Sequence, residues 1–333
     1  MRNKAIDCFK GILTIQMIFA HCLQFFVNFD LSKNYYYISE YINLTTFSGF
    51  MFAFGFAAYY AYLTKPFSVA YPRILLNSGK TLAAFYISSL AFRIFIEKTI
   101  FSRRVFEEIL LFKSLAGWSE FLASFTAVMI VLLVFFFAFK KVNGVFVIAA
   151  FALSGIMCFI PYGNVHPVAG LFIGGKNFAY FPVFQYIVYF VAGIYFAENK
   201  VVFNVKHLLA AIAATSIFPV YTVLKNYPSR FPPSIAWIFG AMLFVYAYYL
   251  LSNAVAESKF TQWLSQIGKY SLFYLVLSNV LIFAVKSTGF YRIGPAYATV
   301  IFVLIVALIW YLYKLVAPKT AVRPAVETAV KSS

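Results

Sequence analysis

Acidic side chains are scarce in this chain. Ten Asp+Glu stand among 333 residues, and charged residues of both signs together make up 11%. Soluble chains carry about a quarter charged residues, so a soluble globular protein is excluded. Disorder is excluded as well, because 63% of residues are hydrophobic and 21% aromatic, and a disordered chain needs the reverse. Cysteine is nearly missing. Cys8, Cys22 and Cys158 form no pairing pattern. Cys8 and Cys22 lie about 21 Å apart on one predicted helix, so neither a disulfide framework nor a metal cluster is indicated.

What is present is apolar sequence in lengths that cross a bilayer, roughly 17–25 residues each. Ten such stretches are readable, near 11–29, 44–63, 81–97, 121–139, 144–160, 178–197, 207–224, 235–252, 267–285 and 294–314. The fold class expected is therefore all-α, a polytopic integral membrane protein of about ten transmembrane helices. The transmembrane domain spans 1–315, and 316–333 form a flexible cytoplasmic tail. No repeat stands out. The net charge of +17 falls in short groups between the apolar runs, which points to topology and anionic lipid rather than nucleic acid. With the N-terminus inside, sixteen Lys+Arg fall on the inner side and eleven outside. Five of the eleven belong to residues 93–113, which read as an amphipathic surface helix. Both termini are thus expected to be cytoplasmic.

The first span carries a polar stripe. At 100° per residue, Asp7, Lys10, Thr14, Met17, His21, Gln24 and Asn28 fall within about 100° of one another, and Ile12, Ile15, Phe19 and Phe26 occupy the opposite face. Such a stripe must face protein or a water-filled cavity. If hydrocarbon begins near Gly11, His21 lies about 15 Å deeper, close to the midplane. Intramembrane ionisable groups are costly and usually functional, and a neutral imidazole suits a general base. Asp7 is about 21 Å from His21 along the helix and cannot orient it. Arg2, Asp7 and Lys10 instead sit at the cytoplasmic mouth. Thr14, Gln24 and Asn28 either line a channel or pack against neighbouring helices.

The segment Arg2-x4-Asp7-x2-Lys10-Gly11-Ile12, with His21 fourteen residues after Asp7, resembles the opening signature of the membrane-bound acyltransferase type 3 family. Phe47 to Phe56, Trp118-Ser119-Glu120, Phe181-Pro-Val-Phe with Gly193, and Ile267-Gly268-Lys269-Tyr270-Ser271-Leu272 resemble further segments of that family in order. The likeness runs over about residues 1–315. Two departures stand out: Arg73 and Lys80 are the only cations where the family often has several Arg, and Ser271 to Asn279 contains no histidine. The second departure leaves His21 the one intramembrane histidine.

The resemblance implies transfer of an acyl group, usually acetyl, from cytoplasmic acyl-CoA to a hydroxyl of a cell-surface or lipid-linked glycan, with His21 as base. In that reading acetyl-CoA is a co-substrate and not a resident cofactor. Its phosphates would meet the cations Arg2, Lys10, Arg73 and Lys80, Asp7 completing the cofactor-binding set at the same mouth, and its pantetheine arm would follow the stripe to His21. Thr14, Gln24, Asn28 and Glu120 are the candidate substrate contacts. Glu120, where the fourth span enters the membrane, reads equally as a solvated acid beside an interfacial tryptophan. Asn279, inside the ninth span, reads as a helix–helix contact. His166 and Lys176 read as solvated groups in a Pro/Gly-rich outer loop. A glycan or lipid exporter on the same scaffold is the alternative, the stripe then lining a pathway.

Overall fold

The computed structural model describes residues 3–100, 102–289 and 293–316, and these form helices and connecting loops with no strand. Arg2 and residues 317–333 of the expected tail lie outside the described residues. Sixteen α-helices follow one another. They are α1 (Lys4–Phe26), α2 (Lys33–Ala58), α3 (Phe67–Phe95), α4 (Arg103–Leu110), α5 (Glu120–Val134), α6 (Phe136–Phe139), α7 (Gly144–Met157) and α8 (Pro167–Ile173). After them come α9 (Val183–Glu198), α10 (Val205–Thr215), α11 (Ile217–Lys225), α12 (Ile235–Gly240), α13 (Met242–Val255), α14 (Gln262–Lys269), α15 (Ser271–Ser287) and α16 (Pro295–Val316).

Five helical stretches among the described residues are long and apolar enough to cross a membrane: Lys4–Phe26, Lys33–Leu63, Val205–Lys225, Ile235–Val255 and Pro295–Leu315. A sixth arises if α14 and α15, bent by 80° at their junction, count as one span. Three of the expected spans appear as shorter apolar helices, Glu120–Val134, Gly144–Met157 and Val183–Glu198. Length and composition therefore support five or six full crossings among the described residues. The central short helices α5 and α9 are largely buried, so non-helical backbone at their ends is sheltered by protein and not by lipid.

Local sequence accounts for several boundaries. Asn3 caps α1 by accepting from the Ile6 N–H at 3.1 Å, which starts the helix at Lys4, seven residues before the apolar run. Val205–Lys225 and Pro295–Leu315 are mostly unburied and present Val220, Val223, Leu224, Val303, Leu304 and Leu308 outward, as lipid-facing helices must. Within the segment expected as a surface helix, residues 93–95 close α3 and Arg103–Leu110 forms α4. Its Arg103–Glu107 and Arg104–Glu108 pairs, 2.7 and 3.0 Å, have the i,i+4 spacing of a solvated face.

Two backbone-on-backbone contacts knit the bundle. A Cβ on Gly55 (α2) would lie 1.9 Å from the Phe190 carbonyl oxygen, and one on Gly193 (α9) 2.1 Å from that of Phe52. Likewise Gly11 (α1) meets Leu264 O at 2.0 Å and Gly268 (α14) meets Asp7 O at 1.8 Å, measured to the same absent atom. Small residues let membrane helices approach this closely. The bundle has two ends. One gathers the Lys4–Glu257 ion pair, 2.7 Å, and Lys140 donating to the Lys65 carbonyl. The other gathers the C-terminus of α1, where Lys286 Nζ donates to Phe25 O at 2.7 Å, with the loops around 115–119, 174–181 and 228–234.

Candidate active site

α1 is 23 residues long, about 34 Å. His21 stands five residues before its C-terminal end, about 7–8 Å along the axis. It is therefore nearer the C-terminal end of α1 than the middle of that helix. The cap at Asn3 places the centre of the helix near Ile15. His21 is buried, and its Nδ1 lies 3.0 Å from Asn279 Oδ1 on α15.

Asn279 is the key to the ring. Its Nδ2 donates to Ser88 Oγ on α3 at 2.9 Å and to the Trp118 carbonyl oxygen at 3.1 Å. A carbonyl can only accept, so the amide nitrogen must face Trp118 and the amide oxygen must face His21. An oxygen that only accepts fixes the proton on Nδ1, which leaves the lone pair on Nε2. Ser119 Oγ donates to Ser88 Oγ at 2.8 Å and extends the network to the start of α5. Asn279 is thus a helix–helix contact, as expected, and also the partner of the imidazole. Trp118 makes this possible by adopting a left-handed backbone, φ +60°, a conformation bulky residues rarely take. Its ring is wedged against Phe25 and Phe92, centroids 4.7 and 5.8 Å away.

On its other side Trp118 donates from Nε1 to Gln24 Oε1 at 2.9 Å. Gln24 Nε2 in turn donates to Ser39 Oγ and Asn43 Oδ1, 3.2 and 3.1 Å, and Asn43 Nδ2 donates to Glu40 at 3.1 Å. The result is a chamber of about 370 Å³ lined by Met17, His21, Gln24, Glu40, Trp118, Glu120, Phe181 and Arg230 among others. That volume is within the range of about 300–1,000 Å³ usual for small-molecule sites. Glu120 is 9% exposed. It is not the solvated interfacial acid its position suggested, because the left-handed turn at Trp118 folds the start of α5 inward. The Arg230 guanidinium lies over the Phe181 and Phe231 rings, 5.5 and 4.7 Å to their centroids. Its Nε is buried without a hydrogen-bond partner.

The remaining sequence candidates lie elsewhere. Asp7 and Lys10 pair at 2.9 Å near the start of α1, with side chains 8% and 19% exposed. Thr14 is fully buried and its Oγ1 donates to the Lys10 carbonyl at 2.7 Å, so it closes on its own helix rather than on a passage. Asn28 falls beyond the end of α1, where its Oδ1 accepts from the Asp30 N–H at 3.1 Å. It lines a neighbouring cavity of about 430 Å³, with Lys286, on the far side of the Gln24–Trp118 bond. Arg73 and Lys80 are exposed on the first half of α3, flanking Asn77, which donates to Tyr62 Oη at 2.6 Å. Arg2 is not described. His21, Gln24 and Glu120 are brought together; Asp7, Lys10, Thr14, Arg73 and Lys80 are not among the chamber's residues. His166 is not simply solvated, since it caps α8 by accepting from the Val168 N–H at 3.3 Å. His207, in the first turn of α10, packs on Tyr195 and Phe196 and is a second histidine within a span. Among the described residues no group of three or more His, Cys, Asp or Glu is gathered for a metal.

A buried imidazole oriented by Asn279 thus shares a chamber with two carboxylates and a guanidinium, within a helical chain of apolar segments able to cross a membrane. A family model described as heparan-alpha-glucosaminide N-acetyltransferase, catalytic, matches residues 2–224. The chain belongs to this family and is, in class, a membrane acetyltransferase. The matched family is not the acyltransferase type 3 family that the motifs resemble, so that resemblance stands only at the coarser level of membrane acyl transfer. No curated protein and no solved structure matches the chain.

Proposed function

We propose that the protein moves an acetyl group from cytoplasmic acetyl-CoA to a saccharide admitted from the opposite face of the membrane, with His21 Nε2 as general base. The observation that carries this reading is the His21 ring, held through Nδ1 by Asn279 in the wall of a chamber that also holds Glu40, Glu120 and Arg230. The family match, together with the two carboxylates, weighs an amino group as acceptor over the hydroxyl implied by the motif resemblance. Carboxylates draw in an amino sugar as its ammonium, which passes one proton to Glu40 or Glu120 before it can attack. In the transfer step the amine nitrogen attacks the thioester carbonyl while Nε2 takes an N–H proton. The tetrahedral adduct then expels the CoA thiolate, which the imidazolium protonates. Lys10, Arg73 and Lys80, toward the N-terminal end of the bundle, are the cations assigned to the CoA phosphates, where charge-assisted hydrogen bonds are strongest. The donor side requires a cytoplasmic N-terminus in the cell membrane, in line with the distribution of Lys and Arg.

The test is acetyl-CoA turnover by the purified protein in lipid, read as free thiol and as N-acetylated product by mass spectrometry. Thiol release that depends on an amino-sugar acceptor is expected. Absence of release, with no acetyl-CoA binding, would overturn the proposal.

Asn279→Ala is expected to lower turnover about five- to tenfold, the value of one hydrogen bond of about 1–1.5 kcal/mol, with KM for acetyl-CoA unchanged. In ¹⁵N-histidine spectra the same variant is expected to lose the single Nδ1–H tautomer of His21, and Asn279→Asp, which keeps an acceptor oxygen, to retain it. An unchanged tautomer in Asn279→Ala would remove Asn279 from its positioning role.

A further inference from the structure

The Arg230 guanidinium shares the chamber with His21, Glu40 and Glu120, yet among the described residues it makes no hydrogen bond and no ion pair. Its Nε is sealed inside protein, so the two Nη groups are what it presents to the chamber. Burial pushes its pKa below the ordinary value, and the charges of Glu40, Tyr186 and Glu120 push it back up. A guanidinium keeps its proton in either case. The chamber therefore holds a permanent cation whose outward donors are unused.

The group is fixed before any substrate arrives. It lies over the rings of Phe181 and Phe231, which pack edge-on with centroids 5.3 Å apart. Phe181 is backed in turn by Phe47 at 4.4 Å, and Phe47 by Tyr186 at 4.6 Å. Leaving a charge without a partner in such a site is costly, which points to a negative oxygen as its ligand. A permanently anionic group does not suit the chamber, because it would meet Glu40 and Glu120 as like charges. An oxygen that enters neutral and turns negative only in place does suit it.

We infer that Arg230 is the oxyanion donor of the transfer, its Nη groups donating to the thioester carbonyl oxygen of acetyl-CoA. The inference rests on the acetyl-transfer reading for the identity of that thioester. As the amine lone pair forms the C–N bond, the C=O π pair moves onto the carbonyl oxygen, and the new negative charge faces the guanidinium. When that pair returns, the C–S bond breaks and its electrons leave on the CoA sulfur. Arg230 gains and loses no proton, which separates its role from that of His21. Donors held in place beforehand and aimed at charge that develops only in the transition state stabilise it without reorganisation. Arg230 lies beyond the residues 2–224 that the family model matches, so the match assigns it no role.

Two measurements test it. In steady-state kinetics Arg230→Met, which keeps the length of the side chain and removes its charge, is expected to lower kcat about 10²–10³-fold, the usual value of one oxyanion donor. KM for acetyl-CoA and for the amino sugar should stay unchanged. Retained kcat overturns the inference, and so does a loss carried by the acceptor KM alone, which would assign Arg230 to a charge on the acceptor. The second measurement needs no acceptor and no turnover. Infrared difference spectra follow carbonyl-¹³C acetyl-CoA bound to His21→Ala. The thioester band is expected at lower frequency than in solution, and back at the solution frequency in the double variant His21→Ala/Arg230→Met. Arg230→Lys, which keeps the charge but not the fork, is expected to fall between in both measurements, and it carries the test if the methionine variant does not fold. An unshifted band in His21→Ala overturns the inference even where the wild type transfers acetyl. A shift that depends on Arg230 upholds it even if the acceptor is a hydroxyl or His21 is not the base. Acetyl-CoA that binds neither wild type nor His21→Ala overturns the acetyl-transfer reading and the inference together.

Discussion

Replacing His21 with alanine is expected to lower acetyl-CoA turnover by about 10²–10⁴-fold, the usual contribution of a positioned general base, while the protein still folds and binds acetyl-CoA. The loss should be confined to the chemical step. His21 touches the remainder of the fold through one hydrogen bond to Asn279, 3.0 Å. Asn279 keeps Ser88 and Trp118 as partners when the ring is gone, so α3, α5 and α15 stay joined. The cations assigned to the CoA phosphates are not among the chamber's residues, and donor affinity should not move. The measurement is thiol release with a saturating amino-sugar acceptor, beside calorimetric binding of acetyl-CoA to the same preparation. Full turnover in His21→Ala would remove the imidazole from the reaction. A protein that moves glycan across the membrane without consuming thioester, in wild type and variant alike, would favour an exporter.

The sequence made part of this arrangement legible and hid the rest for a physical reason. His21 and Gln24 stand out because both lie on one helix, where a period of 3.6 residues turns position into direction. Both line the chamber. The same periodicity also marked Thr14 and Asn28. It cannot tell a polar group that faces a cavity from one that closes on its own helix, as Thr14 does on Lys10, nor detect that the helix has already ended, as it has before Asn28. Glu40 and Arg230 carry no local signal. Arg230 reaches the chamber from the loop between α11 and α12, and its guanidinium is held there by two aromatic rings distant in sequence. Glu120 looked like a solvated acid because nothing in Trp118-Ser119-Glu120 announces the left-handed turn that folds it inward. Of the ten expected spans, five coincide with helices long and apolar enough to cross and three with shorter apolar helices. Apolar composition reports burial, and the buried helices α5 and α9 need not be long enough to face lipid on their own.

The glycines of the recognised segments have their own consequence, and it sets the second large effect. Gly11 and Gly268 belong to the first and last of those segments, Gly55 and Gly193 to the second and fourth. The fold brings them into the same two contacts, α1 against α14 and α2 against α9, with each missing Cβ pointed at a backbone oxygen of the opposing helix. These positions therefore encode helix approach rather than ligand contact. A neighbouring side chain can rotate away from an added methyl; a carbonyl in the middle of a helix cannot, so the helices themselves must separate. Gly193→Ala is expected to cost at least the 1–3 kcal/mol typical of overpacking (about tenfold or more in the folding equilibrium), and Gly193→Leu or Gly268→Leu to leave no monodisperse folded protein. Gly79 and Gly144 serve as controls, because an added Cβ there meets nothing within 4 Å, and their alanine variants should melt within a degree or two of wild type. The check is the melting temperature and size-exclusion profile of each variant in the same lipid or detergent. A Gly193→Leu protein that elutes and melts like wild type would mean that α2 and α9 do not approach as closely as these backbones place them.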